Sequence, residues 1–178
     1  MNKFSKNFKN ISQEELKLLC SDALRNIKNP GKGIGAELFD AILSITPQPT
    51  VEAVIVDNIN KPTKVLVTRR DDHNYPKSCH FPGSFIRYGE TFQQRLFRLI
   101  MNELGVKVKK FKDTNIKYNS LEKKNKRHII GFYFLVELKS SPEKEYKWIN
   151  CIPKNLVNEH KNFLKNYFGW LEGDPIFK

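Results

Sequence analysis

The sequence predicts an α/β layered domain, with strands on both sides of a central helix and further helices outside them. Three features carry that expectation. The β-branched runs VEAVIVDN and KVLVTRR precede an amphipathic stretch from Thr91 to Leu104, and the long apolar run HIIGFYFLVEL follows it. Helical patterns stand before the first of these strands and after the last. A barrel of repeated strand-helix units is excluded by the same order, and no internal repeat or low-complexity tract occurs.

Ser12 to Asn29 opens with Ser12 and Glu15 at capping-box spacing, and Leu16, Leu19, Cys20, Ala23 and Leu24 then fall on one face. Pro30, Gly31, Gly33 and Gly35 break this helix. A second one, Ala36 to Ile45, aligns Leu38, Ala41, Ile42 and Ile45 before Pro47 and Pro49 end it. Residues 1–49 are therefore expected as a helical extension packing on the domain of residues 50–178. From Val51 two strands follow one another across a hairpin-like connection at Asn58 to Thr63. CHFPGSFIRYGE is extended, with Pro82, Gly83 and Gly89 imposing turns, and it feeds the helix from Thr91. Within that helix Phe92, Leu96, Leu99 or Ile100 and Glu103 recur at steps of three to four, and Gly105 marks its end. YKWINC from Tyr146 reads as a short strand, and Pro153 as the start of a last helix through Tyr167, with Leu156, Phe163, Leu164 and Tyr167 inward.

A chain of 178 residues can enclose one core without staples. Cys20, Cys79 and Cys151 show neither zinc spacing nor a disulfide framework, so a reducing cytoplasm is the expected setting. No apolar run of about 18 residues occurs, and MNKFSKNFKNISQEE lacks an apolar signal region, so neither a membrane span nor export is expected. The net charge of +12 favours phosphorylated or polyanionic partners. The lysine blocks at Lys107 to Lys112 and Lys123 to Arg127 carry no interleaved aromatic ladder, so they read as solvated faces and nucleic acid is not the expected partner.

Chemistry concentrates in GSFIRYGETFQQRLFRLIMNELGV, residues 83–106. It reads as a loop, a glutamate and a helix whose last turn carries a carboxylate. Glu90 and Arg98 are eight residues apart, close enough to pair across the helix start, and Glu103 is a hard oxygen donor next to a helix C-terminus, a place that favours a cation nearby. Magnesium keeps several waters, so one carboxylate, a loop carbonyl and substrate phosphates suffice to bind it.

These residues resemble the Nudix signature, G-x5-E-x7-R-E-U-x-E-E-x-G-U with U aliphatic. Glu90, Arg98, Ile100, Glu103, Gly105 and Val106 match, whereas Ser84, Leu99 and Asn102 depart from it. The run ETFQQRLFRLIMNELG is similar to the GDP-mannose mannosyl hydrolase branch. The resemblance, running loosely from Val51 to Trp148, implies an α/β/α sandwich with a central mixed sheet, here with the N-terminal helical extension outside it. It also implies an Mg²⁺-dependent hydrolase, with Mn²⁺ as a substitute, acting on a nucleoside diphosphate derivative such as GDP-mannose. Carried over, Gly83 and Glu103 would hold the metal, Arg70 and Arg98 would hold the diphosphate, Arg98 would also act in catalysis by stabilising charge on the leaving nucleotide, and Glu90 and Gly105 would support the box. The branch's catalytic histidine has no counterpart before YKW, where Pro142, Glu143, Lys144 and Glu145 stand, and its second loop arginine is replaced by Phe85. Family members often place a glutamate in this loop, which implies Glu143 or Glu145 as the last metal ligand or as general base, against the plain reading of solvated charges.

Other readings stay beside these. Glu90 with Arg98 can be a structural ion pair, His80 and His128 framework residues, and Cys79 a buried thiol. The lost carboxylates suit a non-catalytic nucleotide- or RNA-binding regulatory module, and the oligomeric state, a homodimer included, stays open.

Overall fold

The computed structural model of the protein describes residues 11–72, 75–122, 127–142 and 145–177. Strand β1 (Gln48–Val56) is central: it runs parallel to β6 (Arg127–Leu138) and antiparallel to β2 (Val65–Asp72) and to the short β4 (Gly83–Phe85). β3 (Tyr75–His80) and β7 (Tyr146–Ile149) extend the sheet along β2, and β5 (Val108–Glu122) pairs with β6. The sheet is therefore mixed. A pair of two-residue strands, β8 (Ile152–Pro153) and β9 (Glu172–Gly173), stands apart.

Alternation along β1 sorts its side chains into two layers. Val51, Ala53 and Ile55 pack with Leu66, Phe134 and Val136 under helix α3 (Phe92–Leu104), through its buried Leu96, Leu99, Ile100 and Leu104. Val54 and Val56 face the other way and pack with Phe81, Tyr133 and Leu135 under helix α4 (Asn158–Phe168), through Phe163 and Leu164. A helix on each face makes the fold an α/β/α sandwich. The same alternation puts Glu52, one step from Val51, in the α4 layer.

The predicted boundaries hold at α3, where Thr91 and Gln94 form a capping box and Gly105, at φ 71°, takes the left-handed conformation of a C-cap. They also hold at the β1–β2 connection, where the Asp57 carboxylate accepts from the Thr63 and Lys64 N–H groups at 2.9 and 3.1 Å. Three places differ. The lysine-rich stretch after Val106 forms the 15-residue strand β5, with Phe111, Ile116 and Tyr118 turned inward and the lysines at 109, 110, 112 and 117 outward. Lysines on an edge strand block pairing with other chains, so the solvated face and the strand are one feature. The last helix begins at Asn158 instead of Pro153, because Ile152 and Pro153 pair with β9 and the Val157 N–H donates to the Cys79 carbonyl at 3.0 Å. Helix α1 (Gln13–Arg25) forms with the predicted Ser12–Glu15 capping box but buries no residue. Helix α2 (Ala36–Leu43), reached through a 3₁₀ turn at Pro30–Lys32, buries Leu43.

Candidate active site

The β1–β4 register sets Glu52 directly opposite Gly83, and the neighbouring Ala53 N–H donates to the Pro82 carbonyl at 2.8 Å. A Cβ at Gly83 would lie 2.3 Å from Glu52 Oε2 and 2.9 Å from its Cδ. Glycine is required here for room, since the carboxylate occupies the space a side chain would take.

Glu52 is only 6% exposed. An ionised carboxylate so placed is unfavourable unless donors replace its water. Three supply them. The Thr50 and Tyr118 hydroxyls donate to Oε1 at 3.0 and 2.9 Å, and His160 Nε2 stands 3.5 Å from Oε2. The Phe81 N–H donates to His160 Nδ1 at 3.0 Å, so in the neutral ring the proton resides on Nε2 and faces Glu52. Phe81 also stacks on the imidazole, with centroids 4.4 Å apart. The Tyr118 ring crosses Gly131, where a Cβ would come within 1.9 Å of its Cε1, so the bare backbone of β6 lets this hydroxyl reach across. Burial, then the Glu52 charge, raises the Tyr118 hydroxyl well above the usual phenol range, and it acts as a donor throughout physiological pH. Tyr133 is raised in the same way and donates to the Glu159 carbonyl at 3.0 Å.

This network floors a cleft of about 500 Å³. Its polar wall carries Arg69, Arg70, Arg127, His80 and Glu159 with Tyr75, and Gly83, Ser84 and Phe85 form the rim toward α3. Arg70 lies over the Tyr75 ring, its Cζ 3.8 Å from the centroid, and Arg127 approaches Asp40 of α2 at 3.7 Å. Glu159 accepts from the Ser120 hydroxyl at 2.8 Å. Cations and carboxylates thus line one concave site.

The residues carried over from the resemblance divide between this cleft and the α3 layer. Gly83 and Arg70 line the cleft, whereas Arg98 and Glu103 are not among its lining residues. Arg98 Nη1 donates to Glu90 Oε1 at 2.5 Å, with Glu90 5% and Arg98 59% exposed at the side chain. Arg95 stands 3.7 Å from the same oxygen and donates to Ser84 Oγ, and the Arg87 N–H donates to Glu90 Oε2 at 3.0 Å. Glu90 therefore ties the loop to the helix start. Glu103 is half-buried on α3, one turn beyond Leu99, and Gly105 caps the helix. Leu99, at a position where the signature has glutamate, is buried in the core beneath α3, while Asn102 is exposed. Glu143 lies outside the described residues, as does His73, and Glu145 is exposed. His128 Nε2 contacts Asn119 Oδ1 at 2.6 Å across the strands, a framework position, and Cys79 is buried, its thiol pushed by burial to about 12.

Sequence reasoning missed Glu52, Tyr118, Glu159 and His160. Glu52 alone left a signal, as the single charge inside the apolar strand EAVIV. The others become partners only through the sheet pairing and the docking of α4.

Residues 46–165 match the NUDIX domain family model. The chain belongs to the Nudix family. It is 31% identical over 130 residues to an ADP-ribose pyrophosphatase of Methanocaldococcus jannaschii, a span of 68% of this chain and 76% of that protein. Among solved structures, a MutT NUDIX hydrolase from Burkholderia pseudomallei superimposes with TM-score 0.60 at 17% identity, over 67% of this chain and 97% of that one. A bifunctional NMN adenylyltransferase/ADP ribose pyrophosphatase from Francisella tularensis gives TM-score 0.53 at 16% identity, over 92% of this chain and 50% of that one. The two structural likenesses concern the Nudix fold. No helix among the described residues is long and apolar enough to cross a membrane.

Proposed function

We propose that this Nudix protein hydrolyses a nucleoside diphosphate linked to a sugar, in the cleft between β1, β4 and α4. The observation that carries the proposal is the packing of the Glu52 carboxylate against Gly83 in a cleft that Arg69, Arg70 and Arg127 also line. Guanidinium groups match phosphate oxygens in geometry and charge, and the cleft walls raise the strength of that attraction over its value in water. A carboxylate held as an acceptor by Thr50 and Tyr118, with His160 beside its other oxygen, is suited to orient a water molecule for attack. His160 and Tyr118 act through Glu52, as positioning residues.

The family resemblance implies Mg²⁺, or Mn²⁺ in its place. Among the described residues no three His, Cys, Asp or Glu side chains converge as a metal cage. A cation that keeps its waters and shares the substrate's phosphate oxygens fits this donor set, because such a site asks for one or two carboxylates only. Gly83, Glu52 and Glu159 are the cleft residues that would hold it. The pair Gly83 and Glu103 is the alternative, and Glu103→Gln separates the two. When bound, such an ion neutralises phosphate charge and polarises the bond to be broken.

The Methanocaldococcus relative favours ADP-ribose as first substrate, whereas the box run ETFQQRLFRLIMNELG favours GDP-mannose. Their products separate them. Water attack on phosphorus in ADP-ribose breaks the phosphoanhydride and yields AMP and ribose 5-phosphate. Attack on the sugar carbon of GDP-mannose yields GDP and mannose. Incubation of the purified chain with both, with Mg²⁺ or Mn²⁺, and chromatography of the products tests the proposal. We expect turnover of at least one nucleoside diphosphate sugar. Tight binding without turnover of any would replace the enzyme by a regulatory nucleotide-binding module.

A further inference from the structure

A second cavity, of about 540 Å³, lies between the N-terminal extension and β4 with the loop after it. The extension contributes an apolar wall that includes Leu24, Ile27, Phe39 and Ile42, and the domain contributes Phe85 and Ile86. Two residues, Ser84 and Phe85, line both this cavity and the arginine-bearing cleft, so the two spaces share the short strand β4 as their wall.

Three contacts among the described residues hold the extension over this space. Phe39 meets Phe85 edge-on with ring centroids 5.0 Å apart, Asp40 pairs with Arg127 at 3.7 Å, and Arg87 Nη1 donates to the Lys32 carbonyl at 3.3 Å. Helix α1 buries no residue, and Leu24, 43% exposed, is its contribution to the cavity wall. The volume falls within the range of about 300–1,000 Å³ typical of small-ligand sites, and the lining is of the usual kind, apolar walls with a few polar groups. Here those polar groups are Gln48, Ser84, Arg87 and Arg95.

We propose that this cavity seats the nucleobase of the substrate, whose diphosphate lies in the adjoining cleft, so that the N-terminal extension is part of the substrate site. The proposal rests on the reading given under Proposed function. Wall chemistry assigns the two ends. A sugar placed among Leu24, Ile27, Phe39, Ile42, Phe85 and Ile86 would leave hydroxyls without partners, each an unfavourable loss of hydrogen bonds to water. A planar base buries its two faces on the same walls and turns its polar edge to Gln48, Arg87 and Arg95. The sugar is left to the cleft, where Thr50, Tyr118, Ser120 and Glu159 offer hydroxyl and carboxylate partners.

The test is calorimetric titration of the full chain with AMP, GMP and inorganic pyrophosphate, on the wild type and on Ala36→Trp, which fills the cavity from its extension side. Ile34→Glu, which adds a negative charge at the same wall, serves as a second variant, and thermal melting shows that each folds. We expect each variant to weaken nucleotide binding at least tenfold while pyrophosphate binding stays within twofold, and to raise KM for any nucleoside diphosphate sugar that turns over. Nucleotide affinity unchanged in both folded variants, or an equal loss for pyrophosphate, overturns the proposal, as does a wild type that binds neither nucleotide. A wild type without turnover whose nucleotide binding is lost in the variants keeps the base site and defeats the hydrolase reading alone.

Discussion

Replacing Gly83 by alanine is the sharpest structural perturbation available, because the new methyl would sit 2.3 Å from Glu52 Oε2, 2.9 Å from Cδ and 3.0 Å from Oε1. Ordinary contacts between such atoms begin beyond 3.4 Å, so the carboxylate must move by about 1 Å or the β1–β4 pairing must open. The carboxylate is not free to move, with the Thr50 and Tyr118 hydroxyls on one oxygen and His160 beside the other. A hydrogen bond to a charged group contributes about 1.5–3 kcal/mol. Losing one such bond, with some overpacking strain, gives an expected destabilisation of about 2–4 kcal/mol. For a chain of this length each kcal/mol shifts melting by about 2–4 °C, so Gly83→Ala should melt about 4–16 °C below the wild type. The assay is a double-mutant cycle by urea unfolding with Glu52→Ala. Once the carboxylate is gone the methyl has room, and adding Gly83→Ala should then cost under about 1 kcal/mol, a coupling of at least about 1 kcal/mol. Gly83→Ala within about 0.5 kcal/mol of the wild type, or additive costs, would refute the packing argument.

Other expectations follow from the same geometry. Cys79, raised by burial from 9.0 to about 12, has a thiolate fraction at pH 8 about a thousandfold below that of an ordinary thiol. Exposed Cys20 should therefore react at once with a thiol reagent and Cys79 only on unfolding or at strongly alkaline pH; rapid labelling of Cys79 in the native protein at pH 8 contradicts this. Arg70→Lys gives up the planar fork and the stacking over Tyr75, and kcat/KM should fall by about 10- to 100-fold with stability little changed, read by steady-state kinetics and melting. Thr91→Ala removes the side-chain acceptor of the Gln94 N–H and should cost about 1 kcal/mol, measured by urea unfolding.

The layered fold was legible in the sequence because its signals are local: the runs at Val51, Val65 and His128, the helix of Thr91 to Leu104 and its closing Gly105. β5 was not, since its inward Phe111, Ile116 and Tyr118 are set among lysines and a register shift between Asp113 and Lys117 interrupts the alternation. The amphipathic stripe of α1 was legible, but periodicity does not say whether a partner covers it, and Leu19 and Leu24 remain exposed. At the site, Gly83 and Arg70 could be found from the branch resemblance because their places beside the box are set by short-range spacing. The partners of Glu52 could not, because Thr50, Tyr118 and His160 meet it only through strand register and the packing of α4, contacts that span up to 108 residues between Glu52 and His160. Register also separates the α3 layer, with Leu99 in its core, from the cleft on the α4 side, a division that the linear motif does not display.

The most direct test compares kcat of Glu52→Gln and Glu103→Gln on the best nucleoside diphosphate sugar, with melting curves to show that both proteins are folded. The substitution at Glu52 keeps a polar side chain of similar size but removes the charge that accepts from Tyr118 and orients water. The account predicts a loss in kcat of about 100-fold or more for Glu52→Gln, with a smaller effect at Glu103. Full activity of a folded Glu52→Gln protein, beside an inactive Glu103→Gln, would contradict it and return the chemistry to the signature helix.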